Sequence, residues 1–413
     1  MRLGTSLRSR SSSATCNLAT SLMPMLGISS VEDITASDRL GLPVFLSARP
    51  RGKTLRLHAG KGLHVDDARA GALMEAVEYA VAESSSARGP DCWLPFDALV
   101  AALPVGVRLG DFAPRIGIAP PHHSQMPAVY CEEIGTRRKA LLPAELVLMP
   151  CPSPKGSAPL YGWSTNGLAS GNTLQEATLH ALLEILERDA IAMNLSRDES
   201  SRITAASLPT ALGNLIAAWQ DAGIEATTRF LPNVFGLACF EVTIHEPTSQ
   251  VERMSRGWGC HFDREVALSR AICEAAQLRL STIHPLWRLS HARYGRTAAG
   301  KVATAMDRSL AENGNQLLPK PATDCERTLD FSHVPHSSFT SVGVAFTELL
   351  RRLAMAGLTR VFRYRMYVDR NKDALLGLHV VKVVVPRCES ALGSHVRMGP
   401  RMMERIMGAS NAN

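Results

Sequence analysis

The stretch Asn166-Gly167-Leu168-Ala169-Ser170-Gly171-Asn172-Thr173-Leu174-Gln175-Glu176-Ala177 runs without a break into Glu184-Ile185-Leu186-Glu187-Arg188-Asp189. No other segment constrains the chain as much, because it asks for a turn, a helix start and a charged helix face in that order. Thr173 and Glu176 have the N-cap and N3 spacing of a capping box. Behind them Ala177, Leu179, Leu182, Leu183, Leu186 and Ala190 keep an apolar stripe at helical spacing. Glu184 and Glu187 are three residues apart and so share one face of that helix. Two carboxylates side by side repel unless a cation or a proton lies between them. Taken alone, the pair also fits a solvated face on which Glu184 meets Arg188 at i,i+4.

The pattern returns twice. Gly60-Lys61-Gly62 precedes Asp66, an N-cap candidate, and a helical run carrying Glu75 and Glu78. Gly257-Trp258-Gly259 precedes Cys260, His261, the N-cap candidate Asp263 and a helical run carrying Glu274 and Gln277. The expected unit is a glycine turn, a cap, a helix and two acidic or amide side chains three residues apart. Glycines ahead of a helix let backbone N–H groups approach an anion, and the helix N-terminus favours phosphate. Paired carboxylates suit Mg²⁺, which is held by a few oxygens together with substrate phosphates. Three such helices converging would form a nucleotide–magnesium site unlike any P-loop.

These segments, Gly60 to Glu78, Asn166 to Ala190 and Gly257 to Arg279, together with Val380 to Pro386, resemble the YcaO family. Its members use ATP to activate a peptide-bond oxygen. The likeness runs from about residue 25 to about residue 405. It implies an α+β fold, with mixed sheets, packed helices and a nucleotide site between glutamate-bearing helices. It also implies ATP and Mg²⁺ as cofactors, with Glu75, Glu78, Glu184 and Glu187 holding the metal. Lys61, Glu274, Gln277 and Arg279 are the implied nucleotide-binding residues. Arg270, one turn before Glu274, is a further reasonable phosphate ligand. One position departs from the family pattern: a serine is usual four residues before the first glutamate, and here it is Gly71.

The segment Gly27-Ile28 to Leu42-Pro43 and the ending Arg397-Met398-Gly399-Pro400-Arg401 look like the branch that works with TfuA-type proteins and is linked to thioamide formation. Azoline-forming members commonly end in a proline-rich tail, and no proline follows Pro400 here. The resemblance therefore implies thioamide formation in a ribosomally made peptide or protein, with a TfuA-like partner and a sulfur donor. An azoline-forming cyclodehydratase is the alternative, as is a non-catalytic accessory factor for ribosomal-protein methylthiolation. The oligomeric state stays open, a homodimer included.

Composition bounds the rest. The chain has 413 residues, 46% hydrophobic and 20% charged, as expected of a soluble globular protein. Its formal charge of +7 is spread without a long basic block, which suits an acidic ligand such as ATP or an acidic leader peptide. Aromatic residues are only 5%, which argues against nucleic-acid stacking platforms. Nine cysteines lack CxxC spacing and point to a reduced, cytoplasmic setting. No apolar run reaches membrane-spanning length.

Residues 1–30 read as a basic N-terminal arm, either a plain disordered tail or one whose Arg8 or Arg10 reaches a phosphate, and 31–410 as one YcaO-like catalytic unit. Pro150 to Pro159 is the best linker candidate, although the resemblance places it inside the fold. Arg256 to Phe262 reads as the third glycine turn, and Lys382 as a strand-end surface residue rather than part of the peptide channel. Gly52-Lys53-Thr54 lacks the first glycine of a Walker A motif and precedes a strand, so it reads as a hairpin turn. Cys260-His261, Cys131-Glu132-Glu133 and His122-His123 lack partners at zinc-ligand spacing.

Overall fold

Three strands each run directly into a helix that folds back against them, and the site lies among those three helices. The computed structural model describes residues 2–3, 6–119, 124–152, 158–247, 253–285, 327–368, 375–390 and 397–410. Among these the α-helices are α1 (Ser12–Leu26), α2 (Val65–Ser86), α3 (Phe96–Ala102), α4 (Leu174–Ser196), α5 (Thr210–Asp221), α6 (Arg264–Ile283), α7 (Val342–Met355) and α8 (Pro400–Ser410). A three-stranded antiparallel sheet holds Ser30–Asp33, Val44–Ala48 and Leu57–Lys61, and its last strand leads into α2. A six-stranded sheet carries Leu168–Gly171 at one edge, leading into α4. A five-stranded sheet carries Arg253–His261 at its edge, leading into α6. The architecture is α+β, as the sequence implied. Gly52 to Thr54 lie in the connection between the antiparallel strands Val44–Ala48 and Leu57–Lys61, as a hairpin turn requires.

The glycines act differently from the sequence expectation. Arg256 to His261 is not a turn but strand, paired with Ala238–Glu246 so that Gly257 faces Val242 and Gly259 faces Phe240. A Cβ at Gly257 would stand 2.1 Å from the Ala275 nitrogen, and one at Gly259 would stand 2.1 Å from the Ala267 oxygen. Gly60 repeats this against α2, at 1.9 Å from the Ala68 oxygen and 2.0 Å from the Ala72 nitrogen, and Gly171 against α4, at 2.5 Å from the Ala177 nitrogen. The glycines are therefore seams where a helix backbone lies on a strand backbone, with small alanines opposite.

Two of the three caps form as read. Thr173 accepts a hydrogen bond from the Glu176 backbone N–H, and Asp263 accepts from Glu265 and Val266. The capping box at Thr173 is only half built, because the Glu176 carboxylate receives Arg8, Ser9 and Asn172 instead. On α2 the N-cap position is His64 without a side-chain cap, and Asp66 lies inside the first turn, where its charge favours the positive helix end.

The core is divided among these helices. Leu179, Leu182, Leu183 and Leu186 of α4 pack with Phe346, Leu349 and Leu353 of α7. Leu268, Ala271 and Ile272 of α6 pack against Phe240, Val242 and Ile244 and against Ile216 and Trp219 of α5. The segment read as an arm contains α1, whose Cys16, Ala19, Leu22 and Leu26 join Leu73, Ala76, Val77 and Ala80 of α2 in one core cluster. Residues 153–157 of the linker candidate lie outside the described residues, as do His122-His123 and most of 285–330. The flanking Leu148, Met149, Leu160 and Tyr161 are core residues, so the flanks of that candidate belong to the fold.

Backbone contact at the seam sets two glycine-to-alanine substitutions apart. Gly60→Ala should lose about 2 kcal/mol or more, because backbone must move on both sides. Gly213→Ala in α5, whose nearest neighbour would be 3.7 Å away, should gain about 0.5–1 kcal/mol. Urea unfolding of both variants measures the difference and its sign.

Candidate functional site

Helices α2, α4 and α6 and the N-terminal segment enclose a cavity of about 370 Å³. From α2 it takes Asp67, Gly71, Glu75 and Glu78, and from α4 it takes Glu176, His180, Glu184 and Glu187. Both sets follow the same spacing, i, i+4, i+8, i+11, a straight stripe over three turns of helix. Helix α6 continues the scheme with Arg270, Glu274 and Gln277 at the last three of those steps. Lys61, Ser170, Asn172 and Arg188 complete the wall, with Arg8, Arg10, Ser12 and Thr15 from the N-terminal segment. The solvated-face reading of Glu184 and Glu187 therefore fails: their face looks into the cavity.

The glutamates are anchored on one side and open on the other. Glu75 Oε2 accepts the Ala59 N–H at 2.8 Å, and Glu78 Oε1 accepts the Ser170 N–H at 2.8 Å and its hydroxyl at 2.7 Å. Glu187 Oε2 and Gln277 Oε1 are buried without a hydrogen-bond partner. Lys61 Nζ sits 3.0 Å from Glu274 Oε2. Burial pushes the carboxyl groups of Glu75, Glu78 and Glu184 up to about 7, and neighbouring glutamates add to the rise. Glu187 is raised by the same burial and by Glu274. Burial works on Glu274 too, but Lys61, Arg188 and Arg270 outweigh it and hold that carboxyl below its ordinary value.

His180 stands between two guanidinium groups. Its Nδ1 is 3.2 Å from Arg8 and its Nε2 is 3.2 Å from Arg270. Burial, then Arg8 and Arg270, drive its pKa well below the ordinary value, so the ring is neutral. A neutral imidazole accepts at one nitrogen only, and Arg8 already pairs with Glu176, so an added anion falls to Arg270. A triphosphate satisfies that demand, and the unpartnered carboxylate and amide oxygens are the hard donors that Mg²⁺ takes. Among the described residues no group of three or more His, Cys, Asp or Glu side chains is arranged to hold a metal ion unaided.

Of the residues implied by the sequence, Glu75, Glu78, Glu184, Glu187, Lys61, Glu274 and Gln277 all meet at this cavity. Arg279 does not. It is buried in ion pairs with Asp38 at 2.9 Å and Glu246 at 2.8 Å, away from the cavity wall. Two residues beyond Gln277, its side chain leaves the helix on another face. Lys382 is also corrected: it is buried, donates to the Ser164 carbonyl, and is lowered to about 7 by burial. Gly71 does face the cavity. A Cβ there would come 3.2 Å from Gly60 Cα, so the usual serine would need this seam to yield. His180 was not singled out from the sequence and Glu176 only as a capping residue, although their places four and eight residues before Glu184 were a signal that could have found them. Cys260 is core and His261 Nδ1 accepts the Asp263 N–H, so neither is set for zinc.

The fold and this donor set define an enzyme class with a nucleotide-and-cation cavity between glutamate helices. The chain belongs to the YcaO family, whose profile, described as YcaO cyclodehydratase, ATP- and Mg²⁺-binding, matches residues 59–389. The cofactors are ATP and Mg²⁺, and the family is one of ATP-dependent peptide-modifying enzymes. An uncharacterized protein in the tfuA 3′ region of Rhizobium leguminosarum bv. trifolii is 29% identical over 404 residues, covering 93% of this chain and 89% of that one. The YcaO structure from Methanopyrus kandleri bound with AMPPCP and Mg²⁺ aligns with a TM-score of 0.66 at 24% identity, covering 95% of this chain and 96% of that one. A heterocyclase in complex with substrate and cofactor aligns with a TM-score of 0.69 at 18% identity. That alignment covers 97% of this chain but only 56% of the heterocyclase chain. The two structural likenesses show the fold. No helix among the described residues is long and apolar enough to cross a membrane.

Two measurements test the site. Carboxyls raised from 4.5 to about 7 add stability that is full below about 4.5 and is lost as pH rises through 7. The protein without ligands should therefore melt at lower temperature at pH 8 than at pH 6, and Mg²⁺ with AMPPCP should stabilise it more at pH 8, where the metal displaces no protons. Arg279→Met should cost about 3 kcal/mol by taking the guanidinium away from the buried carboxylates of Asp38 and Glu246, with unchanged nucleotide affinity in the folded fraction.

Proposed function

We propose that this protein uses ATP and Mg²⁺ to activate a backbone amide of a peptide or protein, and that sulfur replaces the amide oxygen to give a thioamide. The observation that carries the reading is the convergence of three glutamate-bearing helices on one cavity. Bound ATP supplies the phosphoryl group that lets the amide oxygen leave as phosphate. Glu75, Glu78, Glu184 and Glu187 are the magnesium ligands in this reading, and Lys61, Glu274 and Gln277 hold the nucleotide. Arg8, Arg10, Arg188 and Arg270 add positive charge around the phosphates. The protein's part is to position and neutralise, with little covalent chemistry of its own.

The balance is simple. Hydrosulfide adds its sulfur to the amide carbon, the oxygen departs with the γ-phosphoryl group, and the products are thioamide, ADP and phosphate. The relative in a tfuA 3′ region supports a TfuA-like partner and this outcome. The heterocyclase likeness favours the second reading, in which a Cys, Ser or Thr side chain of the substrate attacks and an azoline forms with loss of water. The substrate, sulfur source and partner belong to the proposal alone.

Glu187→Gln should keep the fold, since it removes charge and little volume, and weaken Mg²⁺-dependent nucleotide binding by ~10-fold or more. Isothermal titration with AMPPCP measures it, and an unchanged affinity would remove Glu187 from the metal site. The product is read by mass spectrometry after incubation with ATP, Mg²⁺, sulfide, a TfuA-like partner and any short precursor peptide found encoded near the gene. Exchange of oxygen for sulfur is expected. Water loss that needs no sulfide would establish the cyclodehydratase instead, and ATP turnover indifferent to any peptide would favour the accessory role.

A further inference from the structure

The segment 162–166 separates two cavities. Thr165 lines the large one, and its neighbours Ser164 and Asn166, with Gly162, line a smaller one of about 50 Å³. We propose that this smaller cavity seats a main-chain N–H group of the peptide substrate, a refinement that rests on the amide-activating reading above.

The cavity asks for a donor. Glu145, a wall residue only 2% exposed, uses Oε2 to accept the Tyr161 N–H at 2.7 Å and the Gly162 N–H at 3.1 Å. Its Oε1 is buried with no partner, and so is Asn166 Oδ1 on the same cavity. A carboxylate has only acceptors to offer, so Glu145 fixes the demand whichever way the Asn166 amide is turned. A buried acceptor left unmatched is costly, and two on one small cavity mark a place for N–H groups. A metal ion suits it poorly, because the Arg397 guanidinium lines the same cavity, fixed by the Phe112 and Ala113 carbonyls. A main-chain N–H is small, neutral and donor-only, and it matches.

The placement also suits delivery of a peptide to the large cavity. Lys382 holds the partition through its Nζ, which donates to the Ser164 carbonyl, and both Glu184 and Arg397 act on its charge. The N–H and C=O of a trans peptide unit point in opposite directions. A chain anchored through N–H on Glu145 therefore turns the carbonyl oxygen of that same peptide unit away from the small cavity, and the cavity of the glutamates lies across the partition.

Acetyl-glycyl-glycine N-methylamide is the probe, compared with its counterpart in which every N–H is N-methylated. Binding to the full chain is followed by saturation-transfer NMR, alongside titration with AMPPCP and Mg²⁺. The N–H probe should bind and the methylated one should not. Glu145→Gln, which can keep the Tyr161 and Gly162 bonds but turns an NH₂ into the cavity, should weaken the probe about tenfold and leave AMPPCP affinity unchanged. Asn166→Leu should weaken it less, and stands as the second variant if the first misfolds. Equal binding of both probes, no transfer to wild type, or an ordered water alone between Glu145 and Asn166 in a probe-soaked crystal would overturn the proposal. Probe binding by a chain that modifies no amide would uphold the seat and overturn the chemical reading instead.

Discussion

The structure depends on keeping several carboxylates of like charge in one buried space. Glu75, Glu78, Glu184 and Glu187 line a single cavity, and burial lifts all four carboxyl groups above their ordinary range. Such a cluster weakens the fold whenever it ionises unmatched. The surrounding construction offsets that cost. Ala59 and Ser170 backbone N–H groups each hold a glutamate oxygen, Lys61 holds Glu274, and the apolar faces of all three helices are sunk in large cores on their far sides.

Close backbone contact brings the stripes together. A helix lying on a strand with side chains between them stands well off it; with glycine on the strand and alanine on the helix the backbones touch. Gly60, Gly171, Gly257 and Gly259 set this approach on each of the three units. The helix stripe then begins at a fixed height above its sheet, and stripes with the same i, i+4, i+8, i+11 spacing can meet. The α2 seam is the tightest, since Gly71 opposes Gly60 directly, glycine to glycine.

Much of this was legible in the sequence, for physical reasons that also set the limit. The helices could be read because apolar periodicity and caps at Thr173 and Asp263 are local signals. The glutamate pairs could be read because i,i+3 spacing fixes a shared face whatever the tertiary structure. The role of the glycines was misread because a glycine that frees φ and a glycine that admits a neighbouring backbone look identical in sequence. Arg279 and Lys382 were misplaced for a related reason. The partners that decide them, Asp38 and Glu246 in one case and the Ser164 carbonyl in the other, lie far away along the chain. Helix α1 was hidden in a Ser- and Arg-rich composition, although its Cys16, Ala19, Leu22 and Leu26 are core residues.

The charge pattern of the cavity argues for joint rather than separate binding. Cationic Arg8, Arg10, Lys61, Arg188 and Arg270 share one space with acidic Asp67, Glu75, Glu78, Glu176, Glu184, Glu187 and Glu274. Arg8 is already engaged with Glu176, and Lys61 with Glu274. A bare triphosphate entering would meet Arg270 beside neutral His180 but also four glutamates that repel it. Bare Mg²⁺ would meet the glutamates without the phosphate oxygens it needs to complete its shell. Each ligand removes the obstacle to the other, so their affinities must be coupled, and linkage makes that coupling equal in both directions. A cavity that admits its nucleotide only with metal also keeps the phosphoryl group away from water until both are in place.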